Sequence, residues 1–261
     1  MKTSLIKLTC GLALLGAVAM AQAQTYTTLN DPLGVGGTDA YGISGNNIVG
    51  TYYYSGDMMS GFLYNGSTWT TLDNPLGVNK TVVYSISGNN IVGFYFGSSN
   101  GPQSFLYNGS TWTTLNDPLG VNGTSAAGIS GNNIVGNYWD SSGAHGFLYD
   151  GSTWTTLNDP LGVNATYAAA ISGNNIVGSY YDGSGVPHGF LYNGSTWTTL
   201  NDPLGVKGTR AYGIDGNNIV GSYFDSAGYD HGFIASVPEP SMLALADLGG
   251  LSLLLFRRRK S

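Results

Sequence analysis

Three histidines recur at one place in a repeating pattern: His145, His188 and His231 each open a His-Gly-Phe segment. Each follows a short loop begun by an aspartate, Asp140, Asp182 or Asp225. Imidazole nitrogens and carboxylates are metal ligands and hydrogen-bonding groups. One of each per unit falls short of the roughly four ligands of zinc or six to eight of calcium. Equivalent positions in separate units also stand too far apart to share an ion. No metal and no cofactor is therefore expected, and these six residues read as turn formers and solvated side chains on a possible ligand face. A second series, Trp69, Trp112, Trp154 and Trp197 with Tyr26 in the same slot, could stack on sugar rings but is expected to pack between units. No Ser/His/Asp nucleophile, Cys/His metal spacing or phosphate loop is present, and the repeats contain no Glu. The chain is not expected to be an enzyme.

The elements that position these residues come from an internal repeat. The block Gly-Asn-Asn-Ile-Val-Gly occurs five times, with its isoleucine at 48, 91, 134, 176 and 219, so the period is 42 or 43 residues. The third unit shows the plan: strand a over 124–130, b over 133–140, c over 145–150 and d over 152–157. Tyr-Asn-Gly-Ser at Asn65-Gly66, Asn108-Gly109 and Asn193-Gly194 predicts two-residue c–d hairpins centred on Asn-Gly, with Asp150-Gly151 in the third unit. The b–c loops vary, and the d–a connection is the longest. These two loops share one face, the candidate ligand face, while the opposite face carries only tight turns.

Four strands per unit at this period is the spacing of propeller blades. The expected fold is all-β: a five-bladed β-propeller with four antiparallel strands per blade and strand a, rich in small residues, innermost. The fifth unit has no strand d, while Thr25-Tyr-Thr-Thr-Leu29 matches Thr68-Trp-Thr-Thr-Leu72. That predicts a ring closed by the N-terminal strand, which would leave no exposed sheet edge.

Charged residues are only 9% of the chain. Residues 24–236 hold three cations (Lys80, Lys207, Arg210) against thirteen Asp, a net charge of −10. Such a body repels phosphate backbones, so nucleic acid is excluded as a partner.

The two ends read as processing signals. Residues 1–23 have a basic start, an apolar stretch and Ala21-Gln22-Ala23 before Gln24, the pattern of a cleaved signal peptide. After the repeat domain (24–236), residues 237–261 hold Pro238-Glu239-Pro240, a fifteen-residue apolar run, and Arg257, Arg258, Arg259 and Lys260. As a short C-terminal helix that run spans about 22 Å, less than a bilayer core, with its basic end held cytoplasmic.

This order of Pro-Glu-Pro, apolar segment and basic cluster resembles the PEP-CTERM sorting signal of Gram-negative bacteria. His-Gly-Phe-Leu-Tyr with Gly-Asn-Asn-Ile-Val-Gly resembles the HAF-type repeats found in such proteins. The resemblance implies transient handling by signal peptidase and an exosortase. It also implies a temporary inner-membrane anchor, then the cell surface or extracellular matrix, and an association with exopolysaccharide. The expected function is a non-enzymatic exported surface protein. A carbohydrate-binding, lectin-like propeller is the alternative, and a glycoside hydrolase, which needs two carboxylates about 5–10 Å apart, is the least favoured.

Overall fold

The computed structural model describes residues 27–237 except 57, 79, 99 and 100. The signal-peptide residues, including Ala21, Ala23 and Gln24, and the sorting-tail residues Pro238–Lys260 lie outside the described residues, as do Thr25 and Tyr26. No described helix is long and apolar enough to cross a membrane.

Nineteen strands are described, in five sequential antiparallel blades. Blade one holds β1 (Gly37–Ser44), β2 (Asn47–Ser55), β3 (Met58–Tyr64) and β4 (Trp69–Leu72). Blade two holds β5 (Thr81–Ser87), β6 (Asn90–Phe96), β7 (Pro102–Tyr107) and β8 (Trp112–Thr114). Blade three holds β9 (Thr124–Ser130), β10 (Asn133–Trp139), β11 (Ala144–Tyr149) and β12 (Trp154–Leu157). Blade four holds β13 (Ala165–Ser172), β14 (Asn175–Tyr181), β15 (Pro187–Tyr192) and β16 (Trp197–Leu200). Blade five has three strands, β17 (Thr209–Asp215), β18 (Asn218–Phe224) and β19 (Asp230–Ser236). The first strands of successive blades are neighbours, and all five blades contribute to the lining of one central channel. The architecture is that of a propeller.

Blades adhere through apolar clusters that each blade shares with the next. Val49 and Leu72 of blade one pack with Val83, Ile86, Ile91, Tyr95 and Phe105 of blade two, and the same set recurs at the next two junctions. Burying each such side chain stabilises the fold by about 1.5–3 kcal/mol. Trp112, Trp154 and Trp197 sit half-buried on these clusters, Trp154 against Phe147 and Tyr149 at 5.0 and 4.6 Å between centroids. They serve packing, as expected. Short polar links cross the junctions as well: Ala126 N–H donates to Ser104 Oγ at 2.7 Å and Ala168 N–H to Asn137 Oδ1 at 2.9 Å. On the tight-turn face, Gly88, Gly131, Gly173 and Gly216 each donate an N–H to a serine of the preceding blade, Ser44, Ser87, Ser130 or Ser172, at 3.1–3.2 Å.

The long d–a connection is a repeated buried turn. Asp159 is almost fully buried; its N–H donates to Thr166 Oγ1 at 3.1 Å, and its Oδ1 accepts from Leu161 N–H at 2.9 Å. Asp31, Asn74, Asp117 and Asp202 do the same in the other connections. With that Asp or Asn turned inward, the following leucine and valine of every connection face solvent.

Two expectations are corrected. The c–d hairpins centre on Gly66-Ser67 rather than Asn65-Gly66: Asn65 N–H donates to Thr68 O, and Gly66 has φ 94°, as a turn with glycine first requires. Asn65 Oδ1 instead accepts from the Ser67 and Thr68 N–H groups at 3.0 and 2.9 Å. Among the described residues no N-terminal strand closes the ring either. Thr27–Leu29 lie outside every strand, and β19 has only β18 beside it. The faces that would meet there are open: Val220 is 48% and Ile234 71% exposed, whereas Val49, Val92, Val135 and Val177 are at 0%. Ile43 on blade one is 69% exposed, against 6% for Ile86. Every other strand d is tied to its strand c by a short hairpin. The N-terminal segment would instead have to close a loop of about two hundred residues, at a larger entropic cost, for one edge strand.

Candidate ligand-binding channel

The central channel encloses about 1190 Å³. Its wall is built by one device used five times. In every blade the register between strands a and b slips once, leaving a single unpaired residue on strand a: Tyr41, Tyr84, Ala127, Ala169 or Tyr212. All five bulged residues line the channel. A bulge adds a residue to one strand and re-aims its side chain. The opposing residue is always the last glycine of the Gly-Asn-Asn-Ile-Val-Gly block. A Cβ on Gly136 would collide with the Ser125 carbonyl, and one on Gly50, Gly93, Gly178 or Gly221 would meet the equivalent oxygen. That glycine is required so that the bulge can form.

The wall has two unlike halves. Across blades one and two, Tyr41 stands edge-on to Tyr84 at 5.5 Å, Tyr84 lies 5.7 Å from Phe94, and Phe94 lies 5.5 Å from Phe96. Lys80 Nζ lies 5.9 Å from the Phe96 centroid. At the other end of this ladder, Tyr41 and Tyr53 both donate to Asp39 Oδ2, at 3.2 and 3.1 Å. Burial first, then the Asp39 charge, raises the Tyr41 pKa; burial raises that of Tyr84. Both phenols therefore stay protonated donors at ordinary pH.

Across blades three to five the bulged residues of β9 and β13 shrink to alanine, and the aromatic groups come from other positions. Trp139 and Tyr167 line the channel, and Tyr167 stands edge-on to Tyr181 at 5.8 Å. Arg210 Nη2 donates to Tyr181 Oη at 2.9 Å. The guanidinium carbon lies 5.8 Å from the Tyr181 centroid and 5.0 Å from that of Phe224. Ser85, Ser125, Ser130, Asn137 and Ser179 add small polar groups between the rings. Asp215, at the tight-turn end, is the one carboxylate among the described lining residues.

The histidines and loop aspartates stand elsewhere and pair off blade by blade. His145 Nε2 is 3.2 Å from Asp140 Oδ1, His188 Nε2 is 3.2 Å from Asp182 Oδ2, and His231 Nε2 is 3.1 Å from Asp225 Oδ2. Each imidazole stacks on a tyrosine, Tyr138, Tyr180 or Tyr223, at 5.0–5.1 Å. His145 Nδ1 faces Asn158 Oδ1 at 3.0 Å and His188 Nδ1 faces Asn201 Oδ1 at 3.1 Å, which ties the b–c loop to the end of strand d. Asp140 also accepts from the Ser142 hydroxyl and N–H, both at 2.7 Å; these bonds, with a smaller share from His145, hold its pKa at about 2. Asp182 is lowered chiefly by the Val186 N–H, and Asp225 chiefly by His231. These side chains are occupied in shaping their own loops. Among the described residues, no cluster of three or more His, Cys, Asp or Glu could hold a metal ion.

The residues of the channel wall escaped notice in the sequence because strand a reads there as a run of small residues. The signal was the variation itself. Units that keep Ile, Val, Gly, Phe and Trp nearly unchanged differ at the bulge (Tyr, Tyr, Ala, Ala, Tyr) and two residues before it (Asp39, Val82, Ser125, Tyr167, Arg210).

No family model and no curated protein sequence matches the chain. Several solved structures resemble it in outline. A fungal lectin from Aleuria aurantia, described as a six-bladed β-propeller with a novel fucose recognition mode, is 19% identical over 78% of this chain and 79% of its own, with a TM-score of 0.46. The SapL1 lectin in complex with α-methyl fucoside is 18% identical over 77% and 82%, with a TM-score of 0.43. A mutant of AofleA from Arthrobotrys oligospora is 11% identical over 75% and 67%, with a TM-score of 0.47.

Proposed function

We propose that this protein is a non-enzymatic, carbohydrate-binding propeller whose ligand enters the central channel. The observation that carries the reading is the fivefold bulge, which turns one residue of every first strand into the channel, where that residue differs from blade to blade. Aromatic rings set among serine hydroxyls and an asparagine amide suit a sugar, which offers an apolar C–H face and a belt of hydroxyls. Glycoside hydrolysis uses a pair of carboxylates, and Asp215 stands by itself in the described lining.

The test is calorimetric titration of the mature chain with a panel of oligosaccharides. At least one should bind, and Trp139→Ala or Tyr84→Ala should weaken it about tenfold or more, each 1.4 kcal/mol being a factor of ten. A panel with no binder, or binding untouched by both substitutions, refutes the channel as a glycan site. We further propose export through the N-terminal signal and sorting through the Pro238–Lys260 tail. Replacing Glu239 and Pro240 and deleting the basic cluster should change localisation and mass in fractionated cells; unchanged fractions would refute the sorting role.

A further inference from the structure

The body is strongly acidic, yet none of its three cations is neutralised. Lys80, Lys207 and Arg210 form no ion pair among the described residues; the only charged contacts are the three His–Asp pairs. Two of them, Lys80 and Arg210, lie against aromatic rings. Lys80 Nζ lies 5.9 Å from the Phe96 centroid. Arg210 is the most committed of them. It is half-buried between the rings of Tyr181 and Phe224, and its guanidinium donates to the Tyr181 hydroxyl. Tyr212, the bulged residue of blade five, stands two residues on and lines the channel. Arginine carries five N–H donors in a planar fork, and this one spends only part of the fork on tyrosine oxygens.

A cation that has lost much of its water and has no counter-charge is receptive to an anion, and the planar fork matches a carboxylate. Resting on the channel reading, we propose that the ligand is an acidic sugar. Its carboxylate meets Arg210 at the junction of blades four and five, and its ring lies along Tyr167 and Trp139. The other channel wall ends on Asp39, which is already held by two tyrosine hydroxyls. The two walls thus differ in charge, and an acidic chain binds in one orientation.

The test compares three probes on the full mature chain: tetragalacturonate, its carboxyl-reduced neutral counterpart, and a sulfated galactose oligomer. Tetragalacturonate should bind at least about tenfold more tightly than the neutral probe, an advantage that shrinks with added salt. Arg210→Gln should erase that advantage, leaving acidic and neutral probes bound equally. Arg210→Lys, which keeps the charge without the fork, should keep part of it. Thermal unfolding of both variants establishes that they fold; if the glutamine form does not, the lysine form alone decides. Equal binding of acidic and neutral probes, or a glutamine variant that still prefers the acid, overturns the proposal and leaves the glycan reading standing. Tighter binding of the sulfated probe overturns the carboxylate assignment. No binding of any probe, with none across the wider panel, overturns both readings.

Discussion

The outer part of each blade and its channel wall obey different rules although they share strands. On the outer part, Phe62, Phe105, Phe147 and Phe190 are fully buried at one repeat position, and the half-buried tryptophans follow at another. Beside the wall, the position two residues before the bulge runs through Asp39, Val82, Ser125, Tyr167 and Arg210, of which Ser125 and Tyr167 line the channel. Packing demands the same volume five times over, because each blade must fit its neighbour as the last one did. The channel makes no such demand, so chemistry is free to differ from blade to blade. The fold resides in what repeats, and recognition in what does not.

The largest expected effect would come from attacking the repeated part. Phe147→Ala should cost about 3–5 kcal/mol in urea unfolding, since its ring is wholly buried between blades two and three. Ligand affinity of the remaining folded molecules should be unchanged; a parallel loss of affinity would show that packing and recognition are not separable. Gly136→Ala comes next. Its Cβ would strike the Ser125 carbonyl, so the bulge at Ala127 must shift, at about 1–3 kcal/mol. This substitution should impair both stability and binding, because it acts where the two parts meet.

Much of the repeated part is legible in the sequence, for a local reason. Strand a of the third unit is read as 124–130 and found at Thr124–Ser130, because alternation, turn residues and the period agree. Strand d is read as 152–157 but begins at Trp154, since Ser152 and Thr153 are consumed by bonds to Asp150. The wall is less legible. No local pattern announces a bulge, and the glycine that permits it reads as part of a turn-flanked strand. Ring closure, which the described residues do not show, is read from the match between Thr25–Leu29 and Thr68–Leu72, a likeness of segments that carries no information about the cost of bringing the termini together. The His–Asp pairs are visible in sequence as positions, but only coordinates show them stacked on tyrosines within their own loops.

Two classes of aspartate sharpen the contrast at a smaller energy. Burial raises the pKa of Asp159, so the stabilisation linked to its protonated form is present below the usual carboxylate value, near 4, and is lost as pH rises through the higher folded-state value. Asp159→Asn should remove that loss without breaking the turn, because Asn74 already makes the same two bonds at the junction of blades one and two. The urea midpoint of the variant should therefore be the less sensitive between about pH 4 and 7. The opposite sign holds for Asp140, whose contribution is present above about pH 4 and is lost as pH falls through about 2. Asp140→Asn should flatten that acid limb. The smallest stability change is expected for Ala127→Tyr, within about 0.5 kcal/mol, because the bulge already carries tyrosine in three other blades. Its effect should fall on ligand choice, read as a changed ranking across the oligosaccharide panel.

The serine-to-glycine stitches on the tight-turn face have one more consequence. Each joins a blade only to its successor, through partners 43 or 44 residues apart. No bond in the series records how many blades there are. A gene that lost or duplicated one unit would leave every seam as it was and alter only the girth of the opening. The bore of this molecule is inherited as a count rather than as any side chain.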